Sequence, residues 1–282
     1  MHTKSYKYPL LNDKEFLYQK YIVDGLSTKT IGKIVGVKIS NSVRQALRRH
    51  NIPVRDMSEA QTHKRESDGF VFNEYTQQVI EGCLLGDGLL RAYNKKSKIS
   101  YPLFSKVNKY RDHIEYVANQ INLNSTSTGS RSDKYVYKHE IKILQYYTLR
   151  TLSHIELLSL YRSWYPKWNG YKKLIPRTLV LTPTVLLHWF MDDGWATIRS
   201  RKDYKIHWNK KKQISIGLCT DCFSFVDHLF LQNELKTRLD LRFSIKAVKN
   251  NQFRLVLPQL QANKFYDIIG PCPVHSLEYK WK

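Results

Sequence analysis

Two aspartates carry the chemistry that is most open to reading in this chain. Asp87 stands in Leu-Leu-Gly86-Asp87-Gly88 and Asp193 in Phe-Met-Asp192-Asp193-Gly194, each closing an apolar run of helical character. A helix C-terminus carries partial negative charge, so an acidic residue in its last turn loses a few tenths to about 1 kcal/mol. Two such placements, at the same point of two similar runs, need a reason. A divalent cation supplies one, because magnesium prefers oxygen ligands and binds through one or two carboxylates plus substrate phosphates. Taken singly, each acidic segment reads as an ordinary turn; the duplication tells against that.

The elements that must position these acids repeat as well. Thr76 opens the first run, and Thr182, followed by Pro183 at a favoured first-turn position, opens the second; each aspartate comes eleven residues after its threonine, and the two aspartates are 106 residues apart. Downstream, residues 89–93 and 99–107 read as a hairpin about a polar turn, and residues 195–200 and 214–219 as its counterpart about a longer basic turn. Helices are predicted over 110–121 and 223–239, second hairpins around 134–144 and 242–257, and closing helices over 145–164 and 259–269. The order α-β-β-α-β-β-α therefore occurs twice, an α+β fold with two antiparallel sheets. On the first helix Gly82 and Gly86 form a bare stripe that lets another helix approach closely. If the repeats pair through these helices, two negative helix ends and two carboxylates converge, and cations relieve the repulsion.

Ahead of the repeats, about 60 residues read as three short helices: a segment over 13–23, a second capped by Ser27 and closed by Gly36, and a third after Ser40. The third buries Val43, Ala46 and Leu47 on one face and leaves Asn41, Arg44, Gln45, Arg48 and Arg49 on the other, as a helix-turn-helix recognition helix would. Gly32 sits where helices must approach, and Val43 follows Gly36 by seven residues, which makes the turn one residue longer than usual. A small bundle whose arginines are merely solvated is the alternative. The expected division is a helical module over 1–60, a polar linker over 61–72, and repeats over 73–175 and 176–282.

Composition fits a nucleic-acid partner. The 282 residues carry 46 Lys and Arg against 24 Asp and Glu, a net charge of +22, of which residues 1–69 hold +6 (13 against 7) and the rest +16 (33 against 17). Basic surface spread over a whole folded chain points to a polyanion. No apolar stretch is long enough for a membrane span, and the N-terminus lacks a secretory core, so an intracellular protein without a membrane partner is expected. The compartment would be a prokaryotic or phage-host cytoplasm, or an organelle matrix if organelle-encoded. Cys219 and Cys222 form a lone CxxC with no second pair, and Cys83 and Cys272 stand alone, which argues for reduced thiols over zinc.

The segments Ile80 to Gly88 (IEGCLLGDG) and Leu186 to Gly194 (LLHWFMDDG) resemble the two motifs of single-chain LAGLIDADG homing endonucleases. The stretch SLYRSWYPKWNGYKKLIPRTLVLTPTVLLHWFMDDG and the closing PCPVHSLEYK are similar to one branch of that family, and the likeness covers about residues 70–282. It implies a monomeric, pseudo-twofold saddle of two sheets astride double-stranded DNA. Asp87 and Asp193 then bind Mg2+, with Mn2+ expected to substitute, and the backbone carbonyls of Gly86 and Asp192 are further candidate ligands. The implied reaction is in-line hydrolysis of both strands across the minor groove, with cations stabilising the transition state. Lys142 and Arg254, on the last strand of each repeat, are candidates for the basic residue that family members place near each metal; plain phosphate contacts are the alternative. The second motif departs from the pattern, with His188 and Asp192 in place of small residues. His188 is expected to be a packed, hydrogen-bonded core histidine and not a general base.

DNA reading is expected from the hairpins: Arg91, Lys95, Lys96 and Lys98 in the first repeat, and Arg199, Arg201, Lys202, Lys205, Lys210, Lys211 and Lys212 at the equivalent place in the second. Phosphate contacts would dominate affinity and strand side chains in the major groove would specify sequence. Two other roles on the same fold stay open: an RNA maturase acting on a host group I intron, and a non-catalytic DNA-binding regulator. Retention of both acids argues against the latter.

Overall fold

A computed structural model describes residues 8–37, 40–56, 72–92, 101–121, 126–137, 140–199, 213–248 and 252–281. The chain divides into two compact units, residues 1–69 and 70–282. The expected linker lies largely outside the described residues.

In the first unit, helix α1 (Lys14–Tyr18) is capped by Asp13, whose side chain accepts from the Phe16 amide, and runs on as a π-helical turn to Val23. Helix α2 (Thr28–Val35) is capped by the Ser27 side chain and ends on Gly36 at φ +81°, a left-handed conformation that favours glycine. Helix α3 (Ser40–Arg49) buries Val43, Ala46 and Leu47 against Leu17, Tyr21 and Ile31, and exposes Arg44, Gln45 and Arg48. Gly32 is not required for close approach: a Cβ there would lie 3.5 Å from the Val37 carbonyl oxygen, an ordinary contact.

The second unit holds the duplication. Repeat one runs α4 (Glu74–Leu85), β1 (Leu89–Ala92), β2 (Pro102–Asn108), α5 (Arg111–Gln120), β3 (Thr126–Tyr137), β4 (Glu140–Thr151) and α6 (Leu157–Trp164). Repeat two runs α7 (Pro183–Asp193), β5 (Gly194–Arg199), β6 (Gln213–Cys219), α8 (Phe225–Leu239), β7 (Ser244–Ala247), β8 (Phe253–Leu257) and α9 (Ala262–Ile269). Each repeat forms an antiparallel four-stranded sheet, ordered β1-β2-β4-β3 and β5-β6-β8-β7. The α+β architecture is as expected, with two local differences. Residues 145–151, read as helix, are the second half of β4, paired with both β2 and β3, and Leu149 is buried between exposed or half-buried neighbours. The aromatic and β-branched run Gln-Tyr-Tyr-Thr-Leu suits a pleated surface. The first helix is capped by Asn73, whose side chain accepts from the Thr76 amide, so it begins a turn before the expected Thr76. Thr182 caps the second helix as expected.

One apolar core joins the two repeats around α4 and α7. Trp189 and Phe190 are fully buried, and the Phe190 ring meets Phe265 edge-on at 4.9 Å and Trp281 at 5.0 Å. A 3-10 turn, His275–Lys280, closes the described chain and is tied to repeat one where Asp112 accepts from the Ser276 amide and hydroxyl.

Candidate active site

The paired helices bring the two acids together. Backbones approach so closely that a Cβ on Gly82 would stand 2.6 Å from the Val185 carbonyl oxygen, and one on Gly86 would stand 2.4 Å from the Asp192 Cβ. Such distances forbid any side chain without movement. The bare stripe on α4 therefore receives the bulkier His188 and Asp192 of α7, which is how the second motif tolerates both. His188 is buried and stacked on Tyr116 with ring centroids 5.8 Å apart, but neither of its ring nitrogens has a hydrogen-bond partner, contrary to expectation. Burial and the nearby Lys106 charge push its pKa down to about 3, so it stays neutral.

At the ends of these helices three carboxylates converge. Asp193 is the last residue of α7, and Asp87 lies two residues beyond the end of α4. Loss of water on one side of each group raises both pKa values. After burial, the Asp192 charge is the next cause at Asp87, and the Asp87 and Asp192 charges are the next causes at Asp193, which is pushed up to about 7. Asp193 thus feels the charge of the other motif acid, Asp87. This clustered, oxygen-only donor set is the chemistry that Mg2+ accepts. Among the described residues no group of three or more His, Cys, Asp or Glu is arranged to hold a metal, so Asp87 and Asp193 would need water, backbone carbonyls or substrate phosphate to complete a shell.

Three lysines balance the charge, and none was among the sequence-predicted residues. Lys173 donates to the carbonyl oxygens of Gly86 (3.0 Å) and Gly88 (3.1 Å). Lys280 donates to those of Phe190 (3.2 Å), Met191 (2.8 Å) and Asp192 (3.0 Å). Each therefore occupies the negative end of one motif helix, among its last carbonyls. Burial lowers both lysine pKa values and the surrounding aspartates oppose it. Lys106, on β2, pairs with Asp192 with both side chains wholly buried. Burial works against its charge, but Asp192 outweighs it and holds the ammonium above its ordinary range. A signal for the first two lies in the sequence: Lys173 follows Asp87 by 86 residues and Lys280 follows Asp193 by 87. Lys106 has no such signature.

The expected ligands and basic residues fall as follows. The Gly86 and Asp192 carbonyls do lie beside the acids, but each accepts from a lysine ammonium. Arg254 on β8 makes a two-pronged pair with Asp221, at 2.8 and 2.6 Å, and shares the lining of a concavity of about 620 Å³ with Trp195, Ser215 and Lys246. Lys142 is exposed on β4 and does not sit at the position equivalent to Arg254. The registers pair Val107 with Thr148 and Cys219 with Arg254, so the counterpart of Arg254 is Thr148, six residues from Lys142 and roughly 20 Å along the strand. Arg91 is exposed at the end of β1, and Arg199 ends β5. Lys95, Lys96, Lys98, Arg201, Lys202, Lys205, Lys210, Lys211 and Lys212 lie outside the described residues.

A duplicated unit that delivers two acids to one point from paired helices, each followed by a four-stranded sheet, defines a two-motif α+β class built around a pair of carboxylates. The chain belongs to the LAGLIDADG DNA endonuclease family, which it matches over residues 77–265. It is 26% identical over 255 residues to protein MJ1098 of Methanocaldococcus jannaschii, covering 90% of each chain. It is 25% identical over 207 residues to a probable intron-encoded endonuclease 1 of Wickerhamomyces canadensis (72% of this chain, 82% of that one), and 25% identical over 229 residues to the cytochrome b mRNA maturase bI2 of Saccharomyces cerevisiae (78% and 50%). Its fold is that of the homing endonuclease I-WcaI bound to its DNA recognition sequence, at a TM-score of 0.62 and 21% identity over 82% of this chain and 96% of that one. Among the described residues no helix is long and apolar enough to cross a membrane.

Proposed function

We propose that the chain is a site-specific homing endonuclease that hydrolyses one phosphodiester in each strand of a long double-stranded DNA site, across the minor groove, using divalent cations held by Asp87 and Asp193. The observation that carries this reading is the convergence of the two motif acids at paired helix ends, where burial and the neighbouring carboxylates raise Asp193 even with Lys106 and Lys173 beside it. When bound, Mg2+ or Mn2+ supplies Lewis-acid stabilisation of the charge that builds on the reacting phosphate. The residues supply the rest. Asp87 and Asp193 provide the hard oxygens. Lys173 and Lys280 stop the helix carbonyls from repelling a phosphate, and Lys173, with two of its three N–H bonds given to carbonyls, keeps one for a phosphate oxygen.

DNA contacts fall to Arg91, to the basic residues 95–98 and 199–212 of the hairpins, and to Arg44, Gln45 and Arg48 on the exposed face of α3. The test is cleavage of a randomised duplex library in Mg2+ by the purified chain. One long site should be recovered, and Asp87→Asn or Asp193→Asn should stop cutting while sparing binding. Full cleavage by the double variant would refute the assignment. The yeast maturase relative favours a second reading, in which the chain also folds a host group I intron RNA. Faster splicing of that intron in vitro on adding the Asp87→Asn variant would support it.

A further inference from the structure

The site is built symmetrically in its acids and asymmetrically in what holds them. Strand registers set Leu89 opposite Ser105 and Trp195 opposite Gly217, and Leu89 and Trp195 each follow a motif acid by two residues. Lys106 of repeat one therefore corresponds to Leu218 of repeat two; the next strands agree, pairing Lys106 with Leu149 and Leu218 with Leu255. In the motifs, Gly86 corresponds to Asp192. Repeat one thus has glycine and lysine where repeat two has aspartate and leucine, and the charged members meet each other across the pseudo-twofold axis.

The contact divides the two oxygens of Asp192. Oδ1 pairs with the Lys106 ammonium, with His113 Nε2 3.5 Å away, and Oδ2 accepts from the backbone N–H of Asp87 at 3.3 Å. The matching position in repeat one holds no carboxylate for Asp193. Its would-be partner is Gly86, where even a Cβ would strike Asp192. We propose that Asp192, anchored by Lys106, is a positioning residue for Asp87 alone, so that repeat two sets the geometry of the acid of repeat one and the two strand cleavages can be uncoupled by removing it. This rests on the nuclease reading above. A buried ion pair is a poor source of stability compared with apolar packing, so retention of this one makes sense as a constraint on geometry, and a misplacement of about 1 Å at a reacting centre costs roughly a hundredfold in rate.

The test uses the full chain on a duplex carrying the library-selected site, with the two strands labelled differently. Asp192→Leu with Lys106→Met exchanges the pair for apolar side chains and leaves no buried charge. The ratio of the two strand-cleavage rates should then move by at least about tenfold with DNA affinity unchanged. Asp192→Asn with Lys106→Met, which returns an acceptor to the Asp87 N–H, should bring the ratio most of the way back. Equal slowing of both strands by the Leu/Met variant overturns the proposal and leaves the nuclease reading standing. A wild-type chain that cuts neither strand sinks both. A readout free of metal and of variants is hydrogen exchange of the Asp87 amide in the wild-type protein. Protection is expected there, and exchange at the rate of an open turn overturns the proposal.

Discussion

The ammonium of Lys173 donates to the carbonyl oxygen of Gly86 at 3.0 Å, at the end of the helix that delivers Asp87. Lys280 makes the corresponding contact with Asp192 on the other helix, and adds two more carbonyls. The two lysines should therefore differ when lost. Lys280→Met takes this donor from the Met191 and Asp192 carbonyls, while Phe190 keeps the Gly194 N–H, and should destabilise the fold by about 2–3 kcal/mol. Lys173→Met should cost less stability but lower the cleavage rate about a hundredfold, because the N–H it keeps for phosphate goes too. Denaturant unfolding and single-turnover cleavage measure the two effects separately; an unchanged rate for both variants would remove the lysines from the chemistry.

The glycines Gly82, in α4, and Gly86, just past its end, allow a sharper comparison. Gly86→Ala drives a methyl group into the Asp192 side chain and Gly82→Ala drives one into the α7 backbone, so each should destabilise by about 1–3 kcal/mol or more. Gly32→Ala, in a helix interior with ordinary contacts around the new carbon, should instead stabilise the N-terminal unit by up to about 1 kcal/mol. Melting curves of the three variants decide this, and similar losses for all three would contradict the packing described.

The metal-free protein should lose stability as pH rises. Burial and two neighbouring carboxylates raise Asp193 to about 7, above its value in the unfolded chain, so the folded state binds a proton more tightly. That contribution is complete below about pH 4, the unfolded value, and is lost as pH climbs towards 7. Mg2+ replaces the proton and should reverse the trend. Between pH 5 and 8 the Tm should fall in a chelator, and the rise on adding Mg2+ should be larger at pH 8 than at pH 5. Asp193→Asn should flatten both responses.

How much of this site could be read in advance follows from the kind of signal each residue leaves. Asp87 and Asp193 were legible because an acid at a helix C-terminus is locally unfavourable and occurs twice. Lys173 and Lys280 leave no local trace: in a chain with 46 basic residues a lysine looks like surface, and only the near-equal offset from each acid marks them. Lys106 is concealed further, since it lies within a strand where alternation would place it on either face, and its partner is defined only once α4 and α7 are packed. The one misread element, residues 145–151, shows the same limit. Its aromatic and β-branched run leans to a strand but carries no period that excludes a helix over so few residues, and pairing with β2 and β3 decides the matter.

The N-terminal unit gives the last prediction. Arg44 and Arg48 are both exposed on α3, one turn apart, with Gln45 between them, while the opposite face is buried against Leu17 and Ile31. If this face lies on DNA, each arginine that meets a phosphate releases about one counterion, so replacing both by Ala should lower the slope of log affinity against log salt by about 2. Both residues belong to the first unit and neither is part of the acid and lysine cluster of the second, so the single-turnover rate on saturated DNA should stay at the wild-type value. Gln45→Ala should behave differently, leaving the salt slope unchanged but relaxing preference at one base pair, because an amide reads base edges and carries no charge. Fluorescence anisotropy across a salt series gives the slopes, and the same measurement on single-base variants of the site gives the preference. Identical slopes for wild type and the double arginine variant would make the first unit a passenger and leave recognition to the two sheets.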